Sequence, residues 1–193
     1  MTEPAHPPPD DASIIARSLT APEEFAAIFD RHAPHIHRYL ARRVGTQHAD
    51  DLLGETFTAA FRKRSTYYVD RADARPWLYG MATHLVGQHR RDEARQYRLH
   101  AVALPDLPVE GPADRAIAST SARSLRGQVG AALQALAQGD RDVLLLIAWE
   151  DLTYDEVAAA LDIPVGTVRS RLHRARKQVR DALAPAFQET SHG

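Results

Sequence analysis

Apolar residues in this chain recur every three or four positions and almost nowhere alternate. Between Asp11 and about Arg98, Phe25, Ile28, Phe29, Ile36, Tyr39 and Leu40 form one stripe, Leu53, Phe57, Ala60 and Phe61 a second, and Trp77, Leu78, Met81, Ala82, Leu85 and Val86 a third. Such spacing puts each set on one face of an amphipathic helix, and three apolar faces close a small core. Pro34 falls inside the first stripe and predicts a kink or break there. Alternating β-branched runs bounded by hairpin turns do not occur, so the predicted fold class is all-α.

The periodicity lapses twice. Residues 1–10 are proline-rich and predict a disordered lead-in. The stretch Leu104-Pro105-Asp106-Leu107-Pro108-Val109-Glu110-Gly111-Pro112 has no helical period and marks an interdomain linker. Helical spacing resumes at Leu125, Val129, Leu133 and Leu136, breaks at Gln138-Gly139-Asp140, and returns through Val143, Leu144, Ile147 and Ala148. The predicted organisation is a lead-in at 1–10, a helical bundle at 11–98, a flexible linker at 99–122, a second small helical domain at 123–187 and a tail at 188–193.

The second domain carries the sharper local signal. Thr153 stands three residues before Glu156, the capping-box spacing, and opens a short helix that stops at Asp162-Ile163-Pro164. A further helix runs from about Val165 to about Leu183, with Val168, Leu172, Ala175 and Val179 facing inward. Two helices joined by so tight a turn form a helix-turn-helix.

Charge sharpens this picture. The chain has 24 basic and 25 acidic side chains, so any basic surface must arise by segregation. It does so on the last helix, which displays Arg169, Ser170, Arg171, His173, Arg174, Arg176, Lys177 and Arg180 with no acid before Asp181. Arginine binds guanine O6 and N7 bidentately or pairs with phosphate, and Gly166, Thr167 and Ser170 leave room for a DNA backbone at the helix start. A solvated charged face is the plainer alternative, and an arginine-rich chain also suits a GC-rich genome. Of the basic residues, only Lys63 and Lys177 are lysine.

Other features narrow the function classes. The chain has no cysteine, which excludes disulfides, thiolate metal centres and a thiol nucleophile, and leaves a reducing cytoplasm as the default compartment. No window approaches the roughly 18 uninterrupted apolar residues of a membrane span, and the start lacks the pattern of a signal peptide, so no membrane insertion is expected. His32, His35 and His37, and His84 and His89, are the histidine groups worth testing for metal. Neither set gives HExxH or a two-ligand i,i+4 pair with a nearby acidic partner, so no metal and no cofactor are expected. Gly-rich phosphate loops, nucleophile elbows and paired catalytic carboxylates are missing too, which argues against an enzyme.

The run Leu152-Thr153-Tyr154-Asp155-Glu156-Val157-Ala158 through Pro164-Val165-Gly166-Thr167-Val168-Arg169-Ser170-Arg171-Leu172-His173-Arg174-Ala175-Arg176 resembles domain 4 of the extracytoplasmic-function (ECF) sigma factors of bacterial RNA polymerase. The segments FAAIFDRHAPHIHRYL at 25–40, Ala49-Asp50-Asp51-Leu52-Leu53-Gly54-Glu55-Thr56-Phe57 and Pro76-Trp77-Leu78-Tyr79-Gly80-Met81-Ala82 resemble, in order, domain 2 of the same family.

The resemblance implies a set of roles. Thr167, Arg169, Ser170, Arg171, His173, Arg174 and Arg176 would read the minus-thirty-five promoter element or its flanking phosphates. Tyr67, Tyr68 and His84 would hold the melted minus-ten element, where aromatic faces receive extruded bases, and Arg90 and Arg91 would hold its phosphates. Arg62, Lys63, Arg64 and Arg95 are further phosphate candidates; the alternative is that the tyrosines cap the core. Trp77, in register with Leu78 and Met81, is expected in the core.

Asp50, Asp51, Leu52, Leu53, Glu55 and Phe57 would dock on the polymerase β′ clamp helices, although acids near a helix start also suit its dipole. Gly54 stands where relatives usually have glutamine. Implied partners are core RNA polymerase, through its β′ clamp helices and β flap, promoter DNA, and an anti-sigma factor; the acidic linker residues Asp106, Glu110 and Asp114 would approach the polymerase active-site channel. The expected function is promoter-specific transcription initiation. A stand-alone repressor or activator that dimerises through its N-terminal domain, and an adaptor that binds polymerase without reading a promoter, are the alternatives.

Overall fold

The computed structural model describes residues 9–68, 70–103 and 121–189, and among these there are helices and turns but no strand. The N-terminal unit comprises α1 (Asp11–Arg17), α2 (Ala26–Val44), α3 (Thr46–Lys63) and α4 (Arg75–Ala103), with short 3-10 turns at Pro22–Phe25 and Arg64–Thr66. The C-terminal unit comprises α5 (Ser121–Ala135), α6 (Gln138–Glu150), α7 (Tyr154–Leu161) and α8 (Val165–Glu189). The expected linker and lead-in fall mostly outside the described residues. At their edges, α4 runs on to Ala103, and the Asp10 side chain caps α1 by accepting from the Ser13 amide at 2.8 Å.

The three predicted stripes line the N-terminal core. Ile28, Ile36, Tyr39 and Leu40 from α2 meet Ala60 from α3 and Leu78, Ala82 and Val86 from α4, all sealed from solvent. Each fully buried aliphatic side chain contributes about 1.5–3 kcal/mol. Pro34 does not end α2: the helix runs through it from Ala26 to Val44, because Ile28 on one side and Ile36 and Tyr39 on the other are anchored in the same core. The break expected at Gln138-Gly139-Asp140 lies slightly earlier. Ala137, in extended geometry, caps α6, and its carbonyl accepts from the Asp140 and Arg141 amides.

α1 is held down by one carboxylate. Asp11 is buried and accepts from His32 Nε2 at 2.8 Å, from the Ala74 amide at 2.8 Å and from the Arg31 guanidinium, while its own amide donates to the Ala72 carbonyl. Burial alone would push this carboxyl up, yet the hydrogen bonds from His32 and the Ala74 amide, with the nearby cations, hold it below the ordinary carboxylate range. One side chain thereby ties α1, α2 and the loop before α4 together.

The two units are docked, and their buried residues form one continuous apolar cluster. α7 lies on α4 so closely that a Cβ added at Gly80 would stand 2.2 Å from the Ala160 carbonyl oxygen, so only glycine permits this approach. Around that contact, Arg43 donates to Asp142 at 2.5 Å and to the Tyr39 hydroxyl at 2.7 Å, and the Tyr79 hydroxyl donates to Glu150. Tyr39 also bonds Thr83 at 2.7 Å, and its burial pushes the phenol up to about 12. These are buried polar bonds, so their geometry specifies one docking register more than it adds stability.

Candidate nucleic-acid interface

The helix-turn-helix is α7 and α8. Thr153 Oγ1 accepts from the Glu156 amide at 3.3 Å, while the Glu156 carboxylate accepts from the Thr153 amide at 2.7 Å, which completes the capping box. Asp162 ends α7 in the left-handed region at φ 51°, a conformation that Asp tolerates better than most side chains. The Ile163 amide then reaches back to the Ala158 carbonyl, and the Pro164 carbonyl accepts from Thr167 and Val168 to start α8. Val168, Leu172 and Ala175 bury the inner face of α8 against α5 and α6.

On the outer face, Arg169, Ser170, His173 and Arg176 are exposed, and Thr167 is half-buried. Two arginines of the expected set are engaged within the protein. Arg174 makes a bidentate pair with Asp140 at 2.9 and 3.0 Å, and this hydrogen-bonded carboxylate holds its guanidinium above the ordinary arginine range. Arg171 is half-buried against Gly139, a residue with no side chain to displace it. Sequence reasoning assigned both to DNA and missed Asp140, because nothing local links a residue of α6 to one 34 positions on.

The surface expected to meet melted DNA divides likewise. The Tyr67 ring is buried edge-on against Trp77 at 5.0 Å, and its hydroxyl donates to the Arg71 carbonyl at 2.6 Å; burial pushes the phenol well up. Tyr68 is 68% exposed, with the Arg71 guanidinium over its ring at 5.3 Å. His84 and Arg91 are exposed. Arg90 is half-buried and donates to the Arg43 carbonyl at 2.7 Å, and burial with the nearby Arg43 charge lowers its pKa. Arg64 is likewise structural: it donates to the Ser18 and Phe61 carbonyls and covers the Phe61 ring. Arg62, Lys63 and Arg95 are exposed.

The docking of the two units brings these surfaces together. Lys63, Tyr68, His84 and Arg91 line one cleft of about 800 Å³ whose opposite wall is α7 from Ala159 to Asp162, with Arg171. Its floor and walls mix aromatic, cationic and small residues, the composition that stacks bases and tracks phosphates.

On α3, Asp50, Asp51 and Glu55 are exposed, Leu53 is half-buried, and Leu52 and Phe57 are buried in the core. The helix begins at Thr46 and no acid lies in its first turn, so a helix-dipole role accounts poorly for this acidic face. Asp50 pairs with His37 at 3.2 Å. Gly54 is exposed, with nothing within 4 Å of an added Cβ, so packing does not require it. Beside it, Phe25, Phe29, Phe57 and Phe61 line a shallow apolar groove between α2 and α3.

Among the described residues, two groups of metal-capable side chains come together. Asp11, His32 and Asp73 form one, but Asp11 is already saturated by donors and Asp73 pairs with Arg75. His48, His89 and Glu93 form the other, which sequence reasoning did not find because His48 sits on a different helix. Among the described residues no helix is long and apolar enough to cross a membrane.

An all-helical protein with a helix-turn-helix, a segregated arginine face and an aromatic, cationic cleft defines a class of nucleic-acid-binding transcription proteins. Residues 28–96 match the family model of sigma-70 region 2, and residues 126–179 match that of sigma-70 region 4. The chain is 36% identical over 166 residues to the ECF RNA polymerase sigma factor SigE of Mycolicibacterium smegmatis, a match covering 83% of this chain and 62% of that protein. It is 31% identical over 176 residues to the ECF sigma factor SigC of Mycobacterium tuberculosis, covering 86% of this chain and 89% of that protein. CarQ, a sigma factor of Myxococcus xanthus, is 32% identical over 164 residues, covering 84% of this chain and 91% of CarQ.

Among solved structures, the fold is similar to that of the sigma factor RpoE of Bartonella quintana in its complex with the anti-sigma factor NepR (TM-score 0.61, 19% identity, 84% of this chain and 98% of that one). It is equally similar to CnrH in complex with the cytosolic domain of CnrY (TM-score 0.61, 24% identity, 91% and 97%). The chain belongs to the ECF sigma factors of the sigma-70 family.

Proposed function

We propose that this protein binds core RNA polymerase and directs it to promoters, α8 reading the minus-thirty-five duplex and the cleft face of the N-terminal unit holding the melted minus-ten strand. The observation that carries this reading is the α7–α8 helix-turn-helix, whose exposed outer face presents Arg169, Ser170, His173 and Arg176 with no acid among them. Tyr68 supplies the exposed phenol ring of the expected minus-ten set, beside Lys63, His84 and Arg91. Tyr67 acts behind it as a wedge that fixes the loop. The acidic face of α3, Asp50, Asp51 and Glu55, docks on the polymerase clamp helices. Leu52 and Phe57 support that face from beneath, and Leu53 completes it.

The protein catalyses no bond change itself, works in the cytoplasm, and is held inactive by an anti-sigma factor, as RpoE and CnrH are each bound by a partner in the structures they resemble. The docked arrangement is its resting form, in which α7 from Ala159 to Asp162 forms the wall opposite the minus-ten surface.

Run-off transcription with sigma-free core polymerase on a template library tests this function. Starts that share two spaced upstream elements are expected. Specific duplex binding by the protein alone, with no transcription, would favour a stand-alone repressor instead.

A further inference from the structure

We propose that His48, His89 and Glu93 form a binding site for a divalent transition metal of the zinc class. None of the three residues belongs to the helix-turn-helix, and none has a role in the proposed DNA or polymerase surfaces. His48 stands in the first turn of α3, while His89 and Glu93 lie one turn apart on α4. One ligand atom of each lies within 4.8 Å of the other two, and His89 Nε2 is 3.4 Å from Glu93 Oε1. Around zinc at about 2.0–2.1 Å, tetrahedral ligands stand roughly 3.3 Å apart, so this edge already has the right length.

A second observation points the same way. His89 Nε2 is sealed from solvent and makes no hydrogen bond, its nearest polar neighbour being the Glu93 carboxylate at 3.4 Å, so a cation seated between the two would satisfy both. The His48 and His89 rings are 4.6 Å apart and tilted at 51°, neither stacked nor hydrogen-bonded, so modest rotation brings both nitrogens to one point. Two imidazoles and a carboxylate select zinc, cobalt or nickel over magnesium or calcium, which prefer all-oxygen shells. Three protein ligands leave a fourth position for water or a partner's side chain.

The adjacent cation Arg90 is turned away, its guanidinium engaged on the Arg43 carbonyl, and Arg91 faces the cleft. A metal here would staple the start of α3, just ahead of Asp50 and Asp51, to the middle of α4, just beyond His84. It would stiffen the two helices that carry the proposed polymerase and minus-ten surfaces.

Untagged full-length protein, stripped with a chelator and then titrated with zinc against a coloured competitor, tests this site. Uptake of one equivalent is expected, weakened at least tenfold by His48→Ala and by His89→Ala, less by Glu93→Gln, and not at all by His35→Ala, an exposed histidine on α2. Cobalt in place of zinc should give the visible absorption of a tetrahedral complex, lost in His89→Ala. If a variant loses its helical circular dichroism, the wild-type protein still decides: zinc should raise its Tm and a chelator should reverse the rise. No stoichiometric uptake, uptake that His35→Ala weakens and His89→Ala does not, or no Tm shift would overturn the proposal.

Discussion

The two surfaces proposed to meet promoter DNA are built in opposite ways. On α8 the DNA-facing side chains stand out from a helix whose inner face is packed, with Arg169, His173 and Arg176 exposed to solvent. On the N-terminal unit they sit in and around a loop clamped from behind by Asp11, with Tyr67 buried and Tyr68 exposed, and they face the other unit across a cleft. The first surface is suited to a regular duplex, which a straight helix matches without adjustment. The second is suited to a single strand, whose bases must be held one at a time by fixed aromatic and polar groups. The second design also depends on how the units sit, because the docked C-terminal unit forms the far wall of its cleft.

The largest expected effect comes from breaking the docking. Asp142→Ala strands the Arg43 charge in a site shared with Arg90 and Arg141, and an unpaired buried charge costs about 3–5 kcal/mol. Here the cost has an escape, since Arg43 and Asp142 belong to different units and separation returns Arg43 to water. Small-angle scattering should therefore show an expanded molecule that keeps its helical content, and single strands should bind the minus-ten surface more tightly. Unchanged dimensions would contradict the docked resting form.

The next effect separates the roles of two arginines on the open surface. If Arg169 reads a base, Arg169→Ala lowers discrimination between specific and scrambled duplexes by about 1–3 kcal/mol. Arg174 is already paired with Asp140, so Arg174→Ala should leave both the discrimination and the salt dependence of binding nearly unchanged. Competition binding at several salt concentrations distinguishes the two.

The clamped surface has its own pH signature. Asp11 has a carboxyl held below its unfolded range, so its contribution to stability is fully present above about pH 4 and is lost as pH falls through the depressed folded value. Asp11→Asn should remove that part of the acid dependence of the Tm. It should also loosen the loop around Tyr68, measured as faster amide exchange at Ala74, while leaving duplex binding by α8 unchanged.

The smallest effect lies on the acidic face of α3. Gly54→Ala fills open space on a helix and should stabilise the protein by about 0.5–1 kcal/mol in thermal unfolding.

How much of this was legible in the sequence depended on the range of the interaction. The capping box at Thr153 and Glu156, the turn at Asp162-Ile163-Pro164 and the inner stripe of α8 are local, and all three appear where spacing put them. Trp77 packs against the core, as its register with Leu78 implied, and there it meets the Tyr67 ring, which the register did not foretell. Pro34 shows the limit of a local rule: its helix-breaking tendency yields to core residues anchored on both sides. The docking of the units was illegible, because it rests on scattered single residues, Arg43, Gly80, Asp142 and Glu150, each ordinary in its own segment. The same holds for the pairing of Arg174 with Asp140 and of His48 with His89, where the partners are remote in sequence.

The chain has no cysteine, so a pair of introduced ones can be labelled cleanly. Thr58→Cys on α3 and Gln178→Cys on α8 are both exposed and outside the proposed contact surfaces. The distance between spin labels at these positions, measured first in the free protein and then in the complex with core polymerase and promoter, tests the central claim directly. A single narrow distance distribution in the free protein that shifts to longer values in the promoter complex is the predicted result. The same distribution in both states would contradict the claim that the two surfaces share one closed cleft until they meet DNA.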